Sequence, residues 1–415
     1  MIKLKKNDNL KYLIIFICII AGAVFIRFYN WPNAITQVNC DEIMTAVNAK
    51  SIADTGKDLY GTSYPVYLEA WGGMGQSVFL LYSMVLCIKI FGYSLAAVRL
   101  PMLIISVISL FVFYDLARRI CKNKYYALIF LAIAAFSPWH ILQSIWSIDC
   151  NMFPHIMLIS VYFLYIGAVS NKIFVYISMV FFALCLYTYG VSIYAVPIFL
   201  IAAAIYLMKT KRIKVFELLI CIIMFLIIAL PIILMYVINF LHIENDIHIG
   251  KMTIQYFENN TRTSDMLLFS DNILKQLGVN ILSLLQIIFI QFDGLEWNAT
   301  LFFGATFHIS LVFAAVGFIQ TFKQKKYKEL GQFLFLLWFL ISIFTGLLIN
   351  HVNINRLNIV WFPLLFFSAY GLYYVFKKFG NKKIVIFSIS AIYTILILSY
   401  NIYFHTNYNL SLIHI

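Results

Sequence analysis

Charge is scarce in this chain of 415 residues, at 11% of positions, and acids are scarcer still, 17 against 30 lysines and arginines. A soluble fold of that length cannot hide the 63% of residues that are hydrophobic, so lipid is the expected main solvent. The seven cysteines contain no CxxC pair and no zinc-type spacing, which removes the common zinc and dithiol motifs. A glycine-rich phosphate loop is also missing from the basic segments, so a nucleotide substrate is not expected. The formal charge of +13 does not indicate nucleic acid, because the basic residues form short clusters between apolar runs and no aromatic-rich basic face.

What the chain does have is a succession of apolar runs of near-spanning length. Lys3, Lys5, Lys6 and Lys11 precede the first, and no small-x-small pattern stands before Trp31-Pro32, so a retained signal anchor with a cytoplasmic N-terminus is expected. Spans are predicted at 12–28, 99–117, 125–140, 152–170, 173–189, 191–208, 215–238, 306–322, 331–349, 357–376 and 383–404, eleven in all. The apolar stretch 76–91 is left out and laid along the outer interface, because it is short and a twelfth crossing there would turn the cluster Arg118, Arg119, Lys122 and Lys124 outward. With that choice, 21 of the 30 basic residues fall inside, and Asp8, Asp115, Glu217 and Glu329 are the acids that join them. All eight histidines fall on or near the outer side. The expected architecture is therefore an all-α polytopic membrane domain over 1–415, with large outer loops at 29–98 and 239–305 and a second interfacial helix near 272–291.

Candidate chemistry lies in the outer loops. Asp41 and Glu42 follow the first span, where Asp41 has the character of a general base and Glu42 of its support or a metal ligand; the plainer alternative is two acids in the first turn of a helix. Asp149 lies in a short loop between spans and is the natural partner of Asp41 if the loops meet, or else a helix cap. Arg356, at the start of a span, suits bidentate capture of a phosphate at headgroup depth, or snorkelling to lipid. Lys57 and Arg99 are further phosphate partners, with Lys50, Lys89, Lys251 and Arg262 as individually weaker ones. Cys40 and Cys150 adjoin the acids, and a disulfide between them would clip Asp41 to Asp149. Tyr187, Tyr189, Tyr194, Trp297 and Trp361 form an interfacial belt, some of them with faces for sugar stacking. Asn259, Asn298 and Asn409 open N-x-Ser/Thr sequons.

The order of these features resembles the GT-C superfamily of integral-membrane glycosyltransferases, in the branch of the protein O-mannosyltransferases and the lipid A aminoarabinose transferase. The resemblance is carried by Asp41-Glu42, by Ala53-Asp54-Thr55-Gly56-Lys57-Asp58, by Phe91-Gly92 leading to Arg99-Leu100-Pro101, by Leu116-Ala117-Arg118-Arg119, and by Ser137-Pro138-Trp139-His140 ahead of Asp149. It implies a polyprenyl-phosphate sugar as donor, an acid at Asp41 that takes the acceptor proton, and assistance from Asp149. Glu42 and Arg356 follow from it more loosely. Two departures, a chain ending about eleven residues after the last span and no β-trefoil-like insertion, lead to the expectation that the outer loops recognise the acceptor and that a protein acceptor is disfavoured.

The expected activity is inverting transfer at the outer face of the plasma membrane, to an envelope lipid, glycan or protein, with no nucleic acid partner. No cofactor is called for, although Asp41 and Asp149 are where a divalent metal would bridge to phosphate. A polytopic transporter or lipid flippase is the alternative. Transporters tend to show internal repeats and ionisable groups at mid-membrane, whereas here the acids cluster at one surface.

Overall fold

Each of the eleven predicted runs folds as helix in the computed structural model, which describes residues 2–259 and 266–408. The elements are α1 (Ile2–Phe28), α2 (Cys40–Thr55), β1 (Tyr67–Ala70), β2 (Gly73–Ser77), α3 (Val78–Phe91), α4 (Leu95–Cys121), α5 (Lys124–Ala135), α6 (Pro138–Gln143), α7 (Asp149–Val169) and α8 (Ile173–Cys185). There follow α9 (Ser192–Lys209), α10 (Val215–Phe240), β3 (Ile247–Ile249), β4 (Met252–Ile254), α11 (Ile273–Phe289), α12 (His308–Lys323), α13 (Leu330–Leu348), α14 (Trp361–Phe379) and α15 (Lys383–Thr406).

Eight of the eleven are long and apolar enough to cross a membrane, whereas α5, α8 and α12 hold 12, 13 and 16 residues. The three short helices nevertheless run from one end of the bundle to the other. At one end, Lys124 bonds Asn9, Lys172 pairs with Glu217 at 3.8 Å, and Ile120 packs on Gly331. At the other, Ser137 and Trp139, just after α5, both donate to the Ala305 carbonyl that precedes α12, and Tyr187, just after α8, accepts from Phe79 at the start of α3. At 1.5 Å per residue, α5 and α8 supply roughly 18–20 Å of helix, short of the roughly 30 Å of a hydrocarbon core.

The basic segments expected to lie together do so. Arg118 and Arg119 share Asp115, Arg212 donates to the Ala168 carbonyl, Tyr206 donates to the Lys328 carbonyl, and Lys377 stands over Tyr373, whose ring meets Tyr126. This basic end faces away from the two long loops.

The omitted stretch is helix α3, and its neighbours explain why it does not cross. Ser77 at its start is bonded to Asp149, and residue 99, soon after its end, is bonded to Glu42, so both of its ends belong to the loop end of the bundle. Helix α11 behaves likewise. It begins beside Ser270, which is bonded to Asn350, and ends two residues before Gln291, which is bonded to Thr306, while Leu274, Leu282 and Phe289 project from it outward.

The architecture is all-α as expected, and among the described residues two small antiparallel hairpins, β1–β2 and β3–β4, occupy the long loops. Gln76 and Ser77, assigned by sequence to the start of a helix, belong to β2. The glycines at 73 and 75 hid this strand, because strands usually lack them. They are required by close approach, since a Cβ on Gly75 would collide with Ala70 and one on Gly73 with the Asn259 carbonyl.

Packing in the bundle relies on small residues where helices touch. Helices α12 and α14 cross with Gly317 and Gly371 in direct apposition, and a Cβ on either would meet the other helix's backbone. Gly371→Val is therefore expected to lower stability by at least about 1–3 kcal/mol through overpacking, read as a lower thermal midpoint of the detergent-solubilised protein. An unchanged midpoint would show that this crossing can relax.

Candidate functional site

The site is assembled where the first long loop meets the turn before α7. Asn39 caps α2, its side chain accepting from Asp41 N–H at 2.9 Å, so Asp41 and Glu42 both fall in the first turn. They point different ways. Glu42 is fully buried and receives one edge of the Arg99 guanidinium, Nε to Oε1 and Nη2 to Oε2, each at 3.0 Å. Ser147 N–H also donates to Glu42 Oε1, at 3.3 Å, so the two loops do meet. Asp41 is half-buried and accepts from the Trp71 indole N–H at 3.2 Å.

Asp149 starts α7 and is buried, its Oδ1 accepting Cys150 N–H at 2.7 Å and its Oδ2 accepting Ser77 N–H at 3.1 Å. The residue before Ser77, Gln76, donates from Nε2 to the Asp41 carbonyl at 3.1 Å and accepts from Thr45 Oγ1 at 3.0 Å. Two successive residues of β2 thus hold the two acids, one each. Neither Gln76 nor Ser77 stood out in the sequence, because backbone N–H groups and a single amide carry no local pattern.

Arg356 approaches from the other side. It donates from Nη1 to the Asn350 carbonyl at 2.7 Å and lines a cavity of about 70 Å³ with Tyr67, Tyr189, Tyr194 and Tyr236. Tyr67 is the cross-strand partner of Ser77, which places this cavity roughly one strand spacing, about 5 Å, from the residue bonded to Asp149. Asn358, two residues beyond Arg356, reinforces the arrangement. It is buried and donates to Gln143 Oε1 (3.0 Å), the Cys150 carbonyl (3.1 Å) and Asn151 Oδ1 (3.2 Å), and accepts from Trp139 Nε1 (2.7 Å). It joins α6, α7 and the Arg356 segment, whereas in the sequence it is one Asn among several.

The other expected phosphate partners are placed differently. All five N–H donors of Arg99 are engaged, two by Glu42 and the rest by the carbonyls of Pro32, Ile35 and Gln37. Arg99 is a buried clamp with nothing left for a phosphate. Lys57 is exposed beyond the C-terminus of α2, roughly 20 Å along its axis from Asp41. Lys50 is committed to a surface pair with Asp54, and Arg262 lies outside the described residues.

Cys40 and Cys150 are free thiols, Cys40 exposed and Cys150 buried, so the disulfide clip is not formed; Ser77 and Ser147 make the connection instead. Of the aromatic belt, Tyr189 and Tyr194 line the Arg356 cavity, but Trp361 is fully buried in the core. Asn298 is buried on Asp293, and Asn409 lies outside the described residues.

Among the described residues no group of three or more His, Cys, Asp and Glu side chains is placed to hold a metal ion. Asp149 has both oxygens on backbone N–H groups, so it and Asp41 do not by themselves make a metal site. Beneath the acids, Arg27, His140, Ser109 and His155 form a fully buried chain of hydrogen bonds of 2.8–3.0 Å among α1, α6, α4 and α7.

The loop carrying β1 has its own electrostatics. Burial raises Asp58 above the usual carboxylate range against the N–H groups of Thr62, Tyr60 and Gly61, and burial raises Glu69, helped by the charges of Asp58 and Glu258. Both carboxyls hold a proton more tightly folded than unfolded, so their contribution is present at low pH and is lost as pH rises through the raised values. Backbone protection over 57–70, corrected for intrinsic exchange, is expected to fall as pH passes above the ordinary carboxylate range. Asp58→Asn should remove most of that dependence, and a flat profile in the wild type would refute the linkage.

Known proteins share this architecture. ArnT from Cupriavidus metallidurans, bound to undecaprenyl phosphate, superposes with a TM-score of 0.58 at 12% identity, covering 91% of this chain and 63% of that one. The archaeal oligosaccharyltransferase AglB from Archaeoglobus fulgidus, in complex with an inhibitory peptide and a dolichol-phosphate, gives 0.53 at 14% identity, covering 97% and 56%. The likeness to both proteins is one of fold. A family model described as dolichyl-phosphate-mannose-protein mannosyltransferase matches residues 76–235, from the end of β2 through most of α10. No curated protein matches the sequence. The chain is an integral membrane protein that spans less than two thirds of the length of these two structural relatives.

Proposed function

We propose that the protein is an inverting glycosyltransferase that moves a sugar from a polyprenyl-phosphate carrier to an acceptor hydroxyl, with Asp41 as general base. The observation that carries the reading is the joint placement of the acids: Gln76 and Ser77 hold Asp41 and Asp149 at one site, at the end of the bundle opposite the basic rim. By the positive-inside bias, the basic end and the N-terminus are cytoplasmic and the site faces outward, in a plasma membrane. The undecaprenyl phosphate bound by ArnT and the dolichol-phosphate bound by AglB support a lipid phosphate as the donor class.

The chemistry follows from the positions. Asp41 takes the proton of the acceptor hydroxyl as its oxygen attacks the anomeric carbon. The carbon–oxygen bond to phosphate breaks, and the lipid phosphate leaves with the electron pair. Arg356 is the guanidinium on the opposite side of the tyrosine-lined cavity, suited to the growing phosphate charge. An apolar groove of about 530 Å³, sharing Tyr194, Tyr236 and Met266 with that cavity and lined further by Phe240 and Leu268, would take the adjoining prenyl units. Asp149 fixes β2 through Ser77, and Glu42 with Arg99 fixes the turn of α2 that presents Asp41.

The test is donor turnover. Membranes containing the protein should consume a polyprenyl phosphate sugar and give a product of inverted anomeric configuration, which NMR of the released glycoside reads directly. Retained configuration, or no turnover of mannosyl, glucosyl, galactosyl or aminoarabinosyl donors, would overturn the reading.

A further inference from the structure

Trp71 is the residue at the site that the proposed mechanism leaves unused. Ala70 pairs with Gly73 across a two-residue turn, and both central residues, Trp71 and Gly72, have positive φ, 58° and 75°. Hairpin turns of this length favour that conformation but normally fill it with Gly, Asn or Asp. A tryptophan there is an outlier of the sort that gathers at functional sites. Nor does the indole recover anything by burial, since Trp71 is 62% exposed.

One contact fixes the ring and another the hairpin that carries it. Its Nε1 donates to Asp41 Oδ1 at 3.2 Å. The hairpin tip is held by the second long loop, where Met74 N–H donates to the Asn259 carbonyl at 3.4 Å, the oxygen that leaves no room for a Cβ on Gly73. The indole therefore meets the carboxylate by its N–H edge and keeps open faces beside the proton-accepting oxygen.

We propose that Trp71 is the platform on which the acceptor lies, and that the acceptor is a carbohydrate. This rests on the glycosyl-transfer reading and narrows its acceptor class. A pyranose has apolar C–H faces that lie flat on an aromatic ring and hydroxyls around its rim, so a sugar stacked on the indole presents a rim hydroxyl to Asp41. A serine or threonine peptide brings the hydroxyl without the apolar plane, and a lipid alcohol brings a flexible chain. An exposed tryptophan also serves as a membrane anchor. Anchoring, however, needs neither an N–H tied to a carboxylate nor a clamped turn in the left-handed region.

The experiment uses the full chain labelled with 5-fluorotryptophan in nanodiscs, with the Trp71 fluorine resonance assigned by its loss in Trp71→Phe. It is titrated with the methyl glycosides of mannose, galactose, N-acetylglucosamine and arabinose, and separately with N-acetyl-threonine amide and a threonine-rich peptide. A saturable shift with at least one glycoside and none with the threonine probes is expected. No shift with any glycoside, a shift with the peptide alone, or a response to brominated phosphatidylcholine placed in the nanodisc would overturn the proposal, the last by making Trp71 an anchor.

Kinetics with the responding glycoside as acceptor gives a second readout. Trp71→Ala should raise the acceptor KM about tenfold or more with the donor KM unchanged, while Trp71→Phe, which keeps the face and loses the N–H, should preserve the acceptor KM and lower kcat. Equal losses in both variants would assign Trp71 to its hydrogen bond alone and end the stacking proposal. Asp41-dependent donor turnover that is indifferent to the ring defeats this inference by itself, whereas no turnover by the wild type defeats the reading beneath it.

Discussion

Asp41→Asn is expected to slow sugar transfer by about 10²–10⁴-fold while the protein still folds, because the substitution removes the proposed base and leaves the shape. The contacts that hold this turn of α2 are mostly made by the backbone: the Asp41 carbonyl accepts from Thr45 (2.8 Å) and Gln76 (3.1 Å), and the Asp41 N–H goes to Asn39. An asparagine keeps all three, and its amide oxygen can still receive the Trp71 N–H. Turnover of the lipid-linked donor, normalised to folded protein by thermal unfolding, separates chemistry from stability. Wild-type turnover in Asp41→Asn would remove Asp41 from the mechanism. Asp149→Asn should cost less, since both of its oxygens are engaged in holding backbone rather than reaching open space.

The second large effect falls on Glu42. Its pairing with Arg99 is bidentate and fully buried, and Arg99 also holds three carbonyls of the chain between α1 and α2. Glu42→Gln leaves the guanidinium charge in place without its counter-ion, which is expected to destabilise the protein by about 3–5 kcal/mol. Replacing the whole pair, Glu42→Leu with Arg99→Met, should recover part of that loss, because no uncompensated charge remains. The three carbonyls orphaned by the second change set the limit of the recovery. Thermal midpoints of the single and double variants in the same detergent test this. If Glu42→Gln melts like the wild type, the pair is not what fixes the first loop.

These effects fall on residues with unequal visibility in the sequence. Asp41 was visible because an acid pair follows the first apolar run, and Asp149 because an acid in a short loop between spans is unusual. Arg99 is visible as a charge at the head of a span, but its contacts are not: an arginine near headgroup depth suits a phosphate, and here every donor turns inward. The same holds for Lys57, which helix α2 carries to the far end from Asp41. Trp71 went unmarked because an aromatic before Gly-Gly reads as a turn. Its meaning depends on which carboxylate lies within reach of the indole.

By itself, then, the sequence determined that the chain lives in lipid, which runs traverse the bundle, which stretches lie across its end, and which end carries the basic rim. These properties come from apolar run length and from charge counted along the chain, both local and additive. Tertiary structure decided the rest: that Asp41 and Asp149 are held by adjacent residues of a hairpin, that Glu42 faces Arg99 and not the acid beside it, that Arg356 lines a cavity with Tyr67, the cross-strand partner of Ser77, and that the Trp71 indole N–H meets Asp41. Those relations depend on contacts between residues 30 to more than 200 positions apart. No periodicity or composition encodes such distances, because they exist once the helices have packed and the loops have closed over their ends.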